Sequence, residues 1–265
     1  MSVQESAAMP ELAPITVLVG HAGVGKTNIS LGLALHASEE GYDVTLADLD
    51  VVNPYFRSSD YPELLADKGV RLIAPVLARS TLDTPSLSGE IDAVIGQVMQ
   101  DPAHKRLILD VGGDDDGATT IGRWARMLAE AGARVLYVVS AFRALTQDAM
   151  SAAAMLPDIE DHAHLRASAV LNASNLSDDT DASHVIHGRA FGQEVAQILG
   201  IPLAATIVPW VAAKRIAQTA GEDLGPERVM AAPSSVALAL TDTPCEGEAL
   251  VLMPRFVRMP WDSVL

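Results

Sequence analysis

An α/β fold, a three-layer and mostly parallel β-sheet flanked by helices, is predicted for this 265-residue chain by two observations. Apolar, β-branched runs of strand length alternate with helical patterns almost to the end, which is how successive βαβ units read. The second observation is Gly20-His21-Ala22-Gly23-Val24-Gly25-Lys26-Thr27, which fits G-x-x-x-x-G-K-[ST] and lies between a strand pattern and a helix pattern. Together they predict a polar, loose tail over 1–13 and a single nucleotide-binding domain over 14–265.

The first strand is Ile15-Thr16-Val17-Leu18-Val19, and the helix after the glycine loop runs over 28–40 until Gly41 ends it. Further strands are expected at 44–47, 70–74, 106–111, 134–139, 167–171 and 204–208. Between them, 89–99 carries Ile91, Val94, Ile95 and Val98 at helical spacing, and 119–131 and 184–199 read as helices. The stretch 80–88 reads as a loop over the sheet. Leu250-Val251-Leu252-Met253, followed by Pro254, reads as an edge strand.

Composition narrows the function. With 49% hydrophobic but only 4% aromatic residues, the core is aliphatic. A formal charge of −16 repels nucleic acid and anionic membrane surfaces, so neither is an expected partner. The most apolar stretch, 200–213, is too short to span a bilayer and contains Pro202 and Pro209. No signal-peptide pattern opens the chain, and the single Cys245 fits a reducing, cytoplasmic setting. The seven histidines show no zinc spacing, and no motif offers a covalent nucleophile.

What remains is phosphate chemistry. Glycines let successive backbone N–H groups at a helix N-terminus point at phosphate oxygens, which makes 21–28 (His21, Ala22, Gly23, Val24, Gly25, Lys26, Thr27, Asn28) the expected phosphate cradle. Lys26 would neutralise the β/γ-phosphates and Thr27 would hold Mg²⁺. Asp48 and Asp50 alternate at the carboxyl end of the second strand and face one side, toward Mg²⁺ and an attacking water. Asp110 ends the apolar run 106–109 as a second Mg²⁺ acid, and Gly112-Gly113 allows a loop to approach the γ-phosphate. Asn172, at another strand end, is an amide suited to the N6/N7 edge of adenine, with a turn asparagine as the alternative. Pro209 and Trp210 would wall the base, with core packing as the alternative for Trp210.

Taken together, 21–27, Asp48-Leu49-Asp50, Asp110-Val111-Gly112-Gly113, Asn172 and Val208-Pro209-Trp210 resemble the MinD/ParA branch of the SIMIBI-class P-loop ATPases, over roughly 14–220. The resemblance implies ATP and Mg²⁺ as ligands, Thr27 and Asp110 on the metal, Lys26 and Asp50 as catalytic residues, and Asn172 reading adenine. It further implies a nucleotide-dependent homodimer. His21 departs from the family, which places there a lysine that reaches into the partner's active site. Neither the cysteine pair of iron–sulfur carriers nor the terminal basic helix of membrane-targeted members is found. The expected function is a slow ATPase switch for an unidentified protein partner. Two alternatives stand beside it: an ATP-dependent ligase or synthetase on the same fold, and a non-hydrolysing nucleotide-binding regulator.

Overall fold

Residues 9, 12–50, 57–74, 84–113, 115–241 and 247–257 are described by a computed structural model. The expected tail therefore lies almost wholly outside the described residues, as do 80–83 and Cys245. Strands and helices alternate in the order β1 (Ile15–Val19), α1 (Lys26–Glu39), β2 (Asp43–Leu49), α2 (Pro62–Asp67), β3 (Arg71–Ile73), α3 (Thr84–Gln100), β4 (Lys105–Val111), α4 (Asp115–Gly122), α5 (Ala125–Glu130) and β5 (Arg134–Val139). They continue as α6 (Ala149–Ala163), β6 (Ala169–Asn172), α7 (Ala182–Leu199), β7 (Leu203–Pro209), α8 (Trp210–Thr219), β8 (Met230–Ala231), α9 (Ser234–Leu240) and β9 (Ala249–Met253). Among the described residues no helix is long and apolar enough to cross a membrane.

The chain divides into two compact units. One, the phosphate-loop unit, comprises Leu12–Leu136, Pro157–Ala167 and Phe256–Leu265, and the second comprises Met1–Glu11, Tyr137–Leu156 and Ser168–Arg255. In the phosphate-loop unit the strand order is β3-β2-β4-β1, all parallel, with Asp48 opposite Asp110 in the β2–β4 register. Every residue of β1 is buried, as expected of a parallel strand covered on both faces. Helix α1 packs on β4, β2 and β1 and is buried around most of its circumference, from Ile29 through Leu35 and Ala37. A helix apolar all round belongs in a core, and its position fixes the glycine loop that precedes it.

The second unit runs β6-β7-β9-β8, with only β8 antiparallel to its neighbour. Its apolar core joins Val185, Val208, Trp210, Val236, Leu240, Leu250 and Leu252. Beneath that core lies an ion pair. Arg189 on α7 donates from Nε to both carboxylate oxygens of Glu248 (3.1 and 3.0 Å) and sits 2.9 Å from it through Nη2. The Thr206 hydroxyl (2.8 Å) and the Gln193 amide (3.3 Å) also donate to Glu248.

The expected strands all form, 15–19 and 134–139 with the expected bounds and the others with bounds displaced by at most two residues. Four helices were not expected. Of these, α6 contains Pro157, which reads as a helix breaker, and α2, α8 and α9 are too short for periodicity to register. The single helix expected at 119–131 is split into α4 and α5. At the break, a Cβ on Gly122 would lie 2.9 Å from the His162 carbonyl oxygen, and the Trp124 indole donates to Asp92 (2.7 Å). Residues 84–88 open α3 rather than continuing the expected loop. The strand at 250–253 is not an edge: β9 is fully buried between β7 and β8, and Pro254 only terminates it. A two-residue strand such as β8 leaves no trace in the sequence pattern.

Removing one partner of the buried pair strands a charge. Glu248→Ala is expected to cost about 3–5 kcal/mol in urea denaturation, whereas the joint Arg189→Met, Glu248→Leu variant should stay near or above wild type. Equal losses in both would mean that packing, not charge pairing, dominates there.

Candidate functional site

The glycine loop leaves β1 and enters α1 without a side-chain cap on the helix, whose N-cap position is Gly25 at φ 100°. Gly23, at φ 75°, takes the same left-handed region, which glycine enters without Cβ strain. Backbone N–H groups at the start of a helix suit an anion, and the helix dipole adds positive potential there. Lys26 is buried and folds back along the loop, its Nζ donating to the Gly20 (2.8 Å) and His21 (3.0 Å) carbonyls. That geometry is a cation poised on a ring of backbone groups, and it fits a phosphate chain. His21 is half-buried, and its Nδ1 bonds the Ala22 carbonyl (3.0 Å). Ala22 and Gly23 are exposed, and Val24 is buried.

Gly113, after β4, presses on this loop. A Cβ there would lie 2.4 Å from the Ala22 nitrogen and 2.5 Å from its Cα, distances no side chain tolerates. The sequence showed the glycine pair but not this contact. Asn28, the residue after Thr27, also gains a partner that the sequence does not announce: its Oδ1 accepts the N–H groups of Phe256 (2.7 Å) and Val257 (3.1 Å).

Asp48 and Asp110 sit side by side, 1% and 2% exposed, at the carboxyl edge of adjacent strands. Burial pushes both carboxyls up, and the Asp110 group reaches about 6, raised further by the Asp48 charge and moderated by Lys26, Ser58 and Thr27. The Thr27 hydroxyl bonds Asp110, so the two expected metal residues meet. Ser58 is fully buried and donates to Asp110 (2.8 Å), while its oxygen lies 3.2 Å from that of Ser30. Asp48 accepts the backbone N–H groups of Asp50 (3.1 Å) and Ser59 (3.0 Å). Ser58, Ser59 and Ser30 were not read from the sequence, because serines carry no pattern until the loop returns to the acids. Asp50 is half-buried beside them.

A divalent cation fits this arrangement. Among the described residues no group of three or more His, Cys, Asp or Glu side chains surrounds a metal position. Mg²⁺ characteristically takes one or two carboxylates and completes its shell with water and substrate phosphates. Thr27 and Asp110, beside a phosphate cradle, offer that donor set.

The expected base-binding residues belong to the second unit, and their surroundings differ from expectation. Asn172 is buried, its Oδ1 accepting the Ser174 N–H (3.1 Å) and hydroxyl (2.6 Å), its Nδ2 lying 3.4 Å from the Thr206 hydroxyl oxygen. Gly188 and Gly192 let α7 close on it: a Cβ on Gly192 would lie 2.8 Å from that of Asn172. The amide oxygen is committed, so the acceptor needed by adenine N6–H₂ is already in use. Trp210, 4% exposed, packs among Val185, Val208 and Leu252, which corrects the expectation that its ring walls a ligand. Pro209 is half-buried where β7 passes into α8.

No family model matches the chain, and no curated protein matches it in sequence. Solved structures share its fold. The cell division protein FtsY of Thermotoga maritima is 18% identical, aligned over 90% of this chain and 72% of its own, with a TM-score of 0.53. The signal recognition particle receptor FtsY of Elizabethkingia anophelis, in complex with GDP, is 18% identical over 77% of this chain and 60% of its own, at a TM-score of 0.50. FtsY of Mycoplasma mycoides is 19% identical over 76% and 62%, at 0.49. The chain thus spans less than two thirds of the latter two proteins. What the likeness shows is the fold, a mostly parallel sheet flanked by helices.

Two outcomes follow from this geometry. Gly113→Ala should displace Ala22 and weaken nucleotide binding at least about tenfold while leaving the far-ultraviolet circular dichroism unchanged; calorimetry that finds wild-type affinity would contradict the contact. Asp110 holds its proton longer in the folded than in the unfolded chain, so its contribution to stability falls as pH rises from about 4 through about 6. Asp110→Asn should remove that slope and stabilise nucleotide-free protein at pH 7 by roughly 1–3 kcal/mol. Parallel stability–pH curves for variant and wild type would show that the carboxyl is not strained.

Proposed function

We propose that this chain binds a purine nucleoside triphosphate with Mg²⁺ and uses its binding and slow hydrolysis as a conformational switch for a protein partner. The observation that carries this reading is Lys26, buried and hydrogen-bonded to two loop carbonyls at the uncapped start of α1, with Thr27 joined to Asp110 beside it. Thr27 and Asp110 would hold Mg²⁺, which would offset the negative charge that develops in phosphoryl transfer. In this reading Lys26 would orient the phosphates and Asp50 the attacking water, the roles that the motif resemblance implies for them.

ATP is the nucleotide implied by the motif resemblance to the MinD/ParA branch, which rests on those motif residues alone. GTP is the second reading, favoured by one observation: the Asn172 oxygen is spent on Ser174 and offers adenine no acceptor. GDP in the Elizabethkingia anophelis structure is in keeping with it. A nucleotide-dependent homodimer and a cytoplasmic location belong to the same proposal, the first from the resemblance and the second from the single cysteine.

Calorimetry with Mg²⁺-ATP and Mg²⁺-GTP tests the reading. Wild type should bind at least one of them, and Lys26→Ala should lose about ten- to a hundredfold in affinity, the worth of charged hydrogen bonds. Absence of binding by wild type to either nucleotide, or equal affinity for the variant, would end the proposal. ATP tighter than GTP supports the first reading, and the reverse order supports the second.

A further inference from the structure

Asp48 and Asp110 are neighbours of the same chemistry, yet their hydrogen bonds divide them. Asp110 meets side chains: the Thr27 hydroxyl from the glycine loop and the Ser58 hydroxyl at 2.8 Å. Asp48 meets backbone. Its Oδ1 accepts the N–H of Asp50 at 3.1 Å and its Oδ2 the N–H of Ser59 at 3.0 Å, and the Ser59 hydroxyl bonds it as well. Asp50 and Ser59 are the two ends of one segment of chain. A single buried carboxylate therefore fastens both ends of 50–59, each oxygen holding one end.

The far end is rigid in its own right. Arg57 N–H donates to the Asp60 carboxylate (3.0 Å), Asp60 N–H to the Arg57 carbonyl (3.1 Å) and Tyr61 N–H to the Ser58 carbonyl (3.2 Å). That turn presents the Ser58 hydroxyl to Asp110 and the Ser59 N–H to Asp48 side by side. Bonds from backbone N–H to an ionised carboxylate are roughly twice as strong as neutral ones, and in a site closed to water they are not exchanged for solvent.

We propose that Asp48 is a positioning residue and not a metal ligand: it holds the Asp50 and Ser59 amides and so fixes Asp50 at the carboxyl edge of β2, leaving the cation to Thr27 and Asp110. The proposal deepens the nucleotide reading, on which only its activity consequence rests. Both functions cannot be served equally by Asp48, since a cation drawn onto Oδ1 or Oδ2 would repel the N–H dipoles that already point there.

Substitution separates the two roles. Asparagine at 48 keeps one acceptor but turns its NH₂ toward a backbone N–H, so one of the two bonds is lost; alanine removes both. Hydrogen exchange resolved to single amides, measured on nucleotide-free full-length protein, should show the Asp50 or Ser59 amide exchanging at least about tenfold faster in Asp48→Asn, and both in Asp48→Ala. Ser59→Ala, which leaves the carboxylates untouched, should give a smaller rise at Ser59 alone and guards against an unfolded Asp48 variant.

The activity arm titrates Mg²⁺ into nucleotide hydrolysis. Asp48→Asn should lower kcat about ten- to a hundredfold with the half-saturating Mg²⁺ concentration within twofold of wild type, whereas Asp110→Asn should raise that concentration about tenfold or more. Unchanged exchange at both amides in Asp48→Ala, or a Mg²⁺ requirement displaced as far by Asp48→Asn as by Asp110→Asn, overturns the proposal. If wild type turned over no nucleotide, the functional reading would fall, and the exchange measurement would still decide for or against the positioning role of Asp48.

Discussion

Two carboxylates brought together out of water are the constraint around which the phosphate-loop unit is arranged. Asp48 and Asp110 face each other across the β2–β4 register because parallel pairing in that register leaves no other placement. Ionised buried acids at such range repel one another and each lacks its hydration shell, so every neighbour must answer one or the other cost. Lys26 supplies charge, Thr27 and Ser58 supply hydroxyls, and Asp50 and Ser59 supply backbone amides. The pair is tolerable only with these partners, and a cation would relieve it further.

The second unit holds a buried carboxylate of its own. Glu248 receives Arg189, Thr206 and Gln193, and a directional series of bonds leads to it, donated from the Ala141 N–H to Ser174, from Ser174 to Asn172, from Asn172 to Thr206 and from Thr206 to Glu248. Each hydroxyl hydrogen in that series has one destination, which fixes the orientation of the Asn172 amide. Such satisfied buried networks specify one packing arrangement; the glycines at 188 and 192 permit it by bringing the α7 backbone close.

Much of this was legible in the sequence, and the parts that were not share a cause. The glycine loop is local: its residues adjoin in the chain, so spacing alone reveals strand, loop and helix. Strands in a parallel sheet are buried on both faces and announce themselves as apolar runs, as at Ile15–Val19. Ser58 and Ser59 were invisible because their role depends on where a loop returns. Asn172 was visible as an amide at a strand end, but its commitment to Ser174 depends on a turn and on α7, neither of which a pattern of residue types encodes. Trp210 stood at the right place in sequence for a base wall, and its burial among aliphatic side chains of the second unit decided otherwise.

The grip of Asn28 on the amides of Phe256 and Val257 joins residues 228 and 229 positions apart, within a unit assembled from three separated stretches of chain. During synthesis, the glycine loop, both acids and Ser58 emerge well before that partner. At about 5–20 residues per second, some 121 residues between 136 and 257 take roughly 6–24 s to be made. For that interval the two bonds from Phe256 and Val257 to Asn28 cannot form. The contact that ties the helix after the glycine loop to 256–257 is therefore made late, after the strands and acids around that loop have all been synthesised.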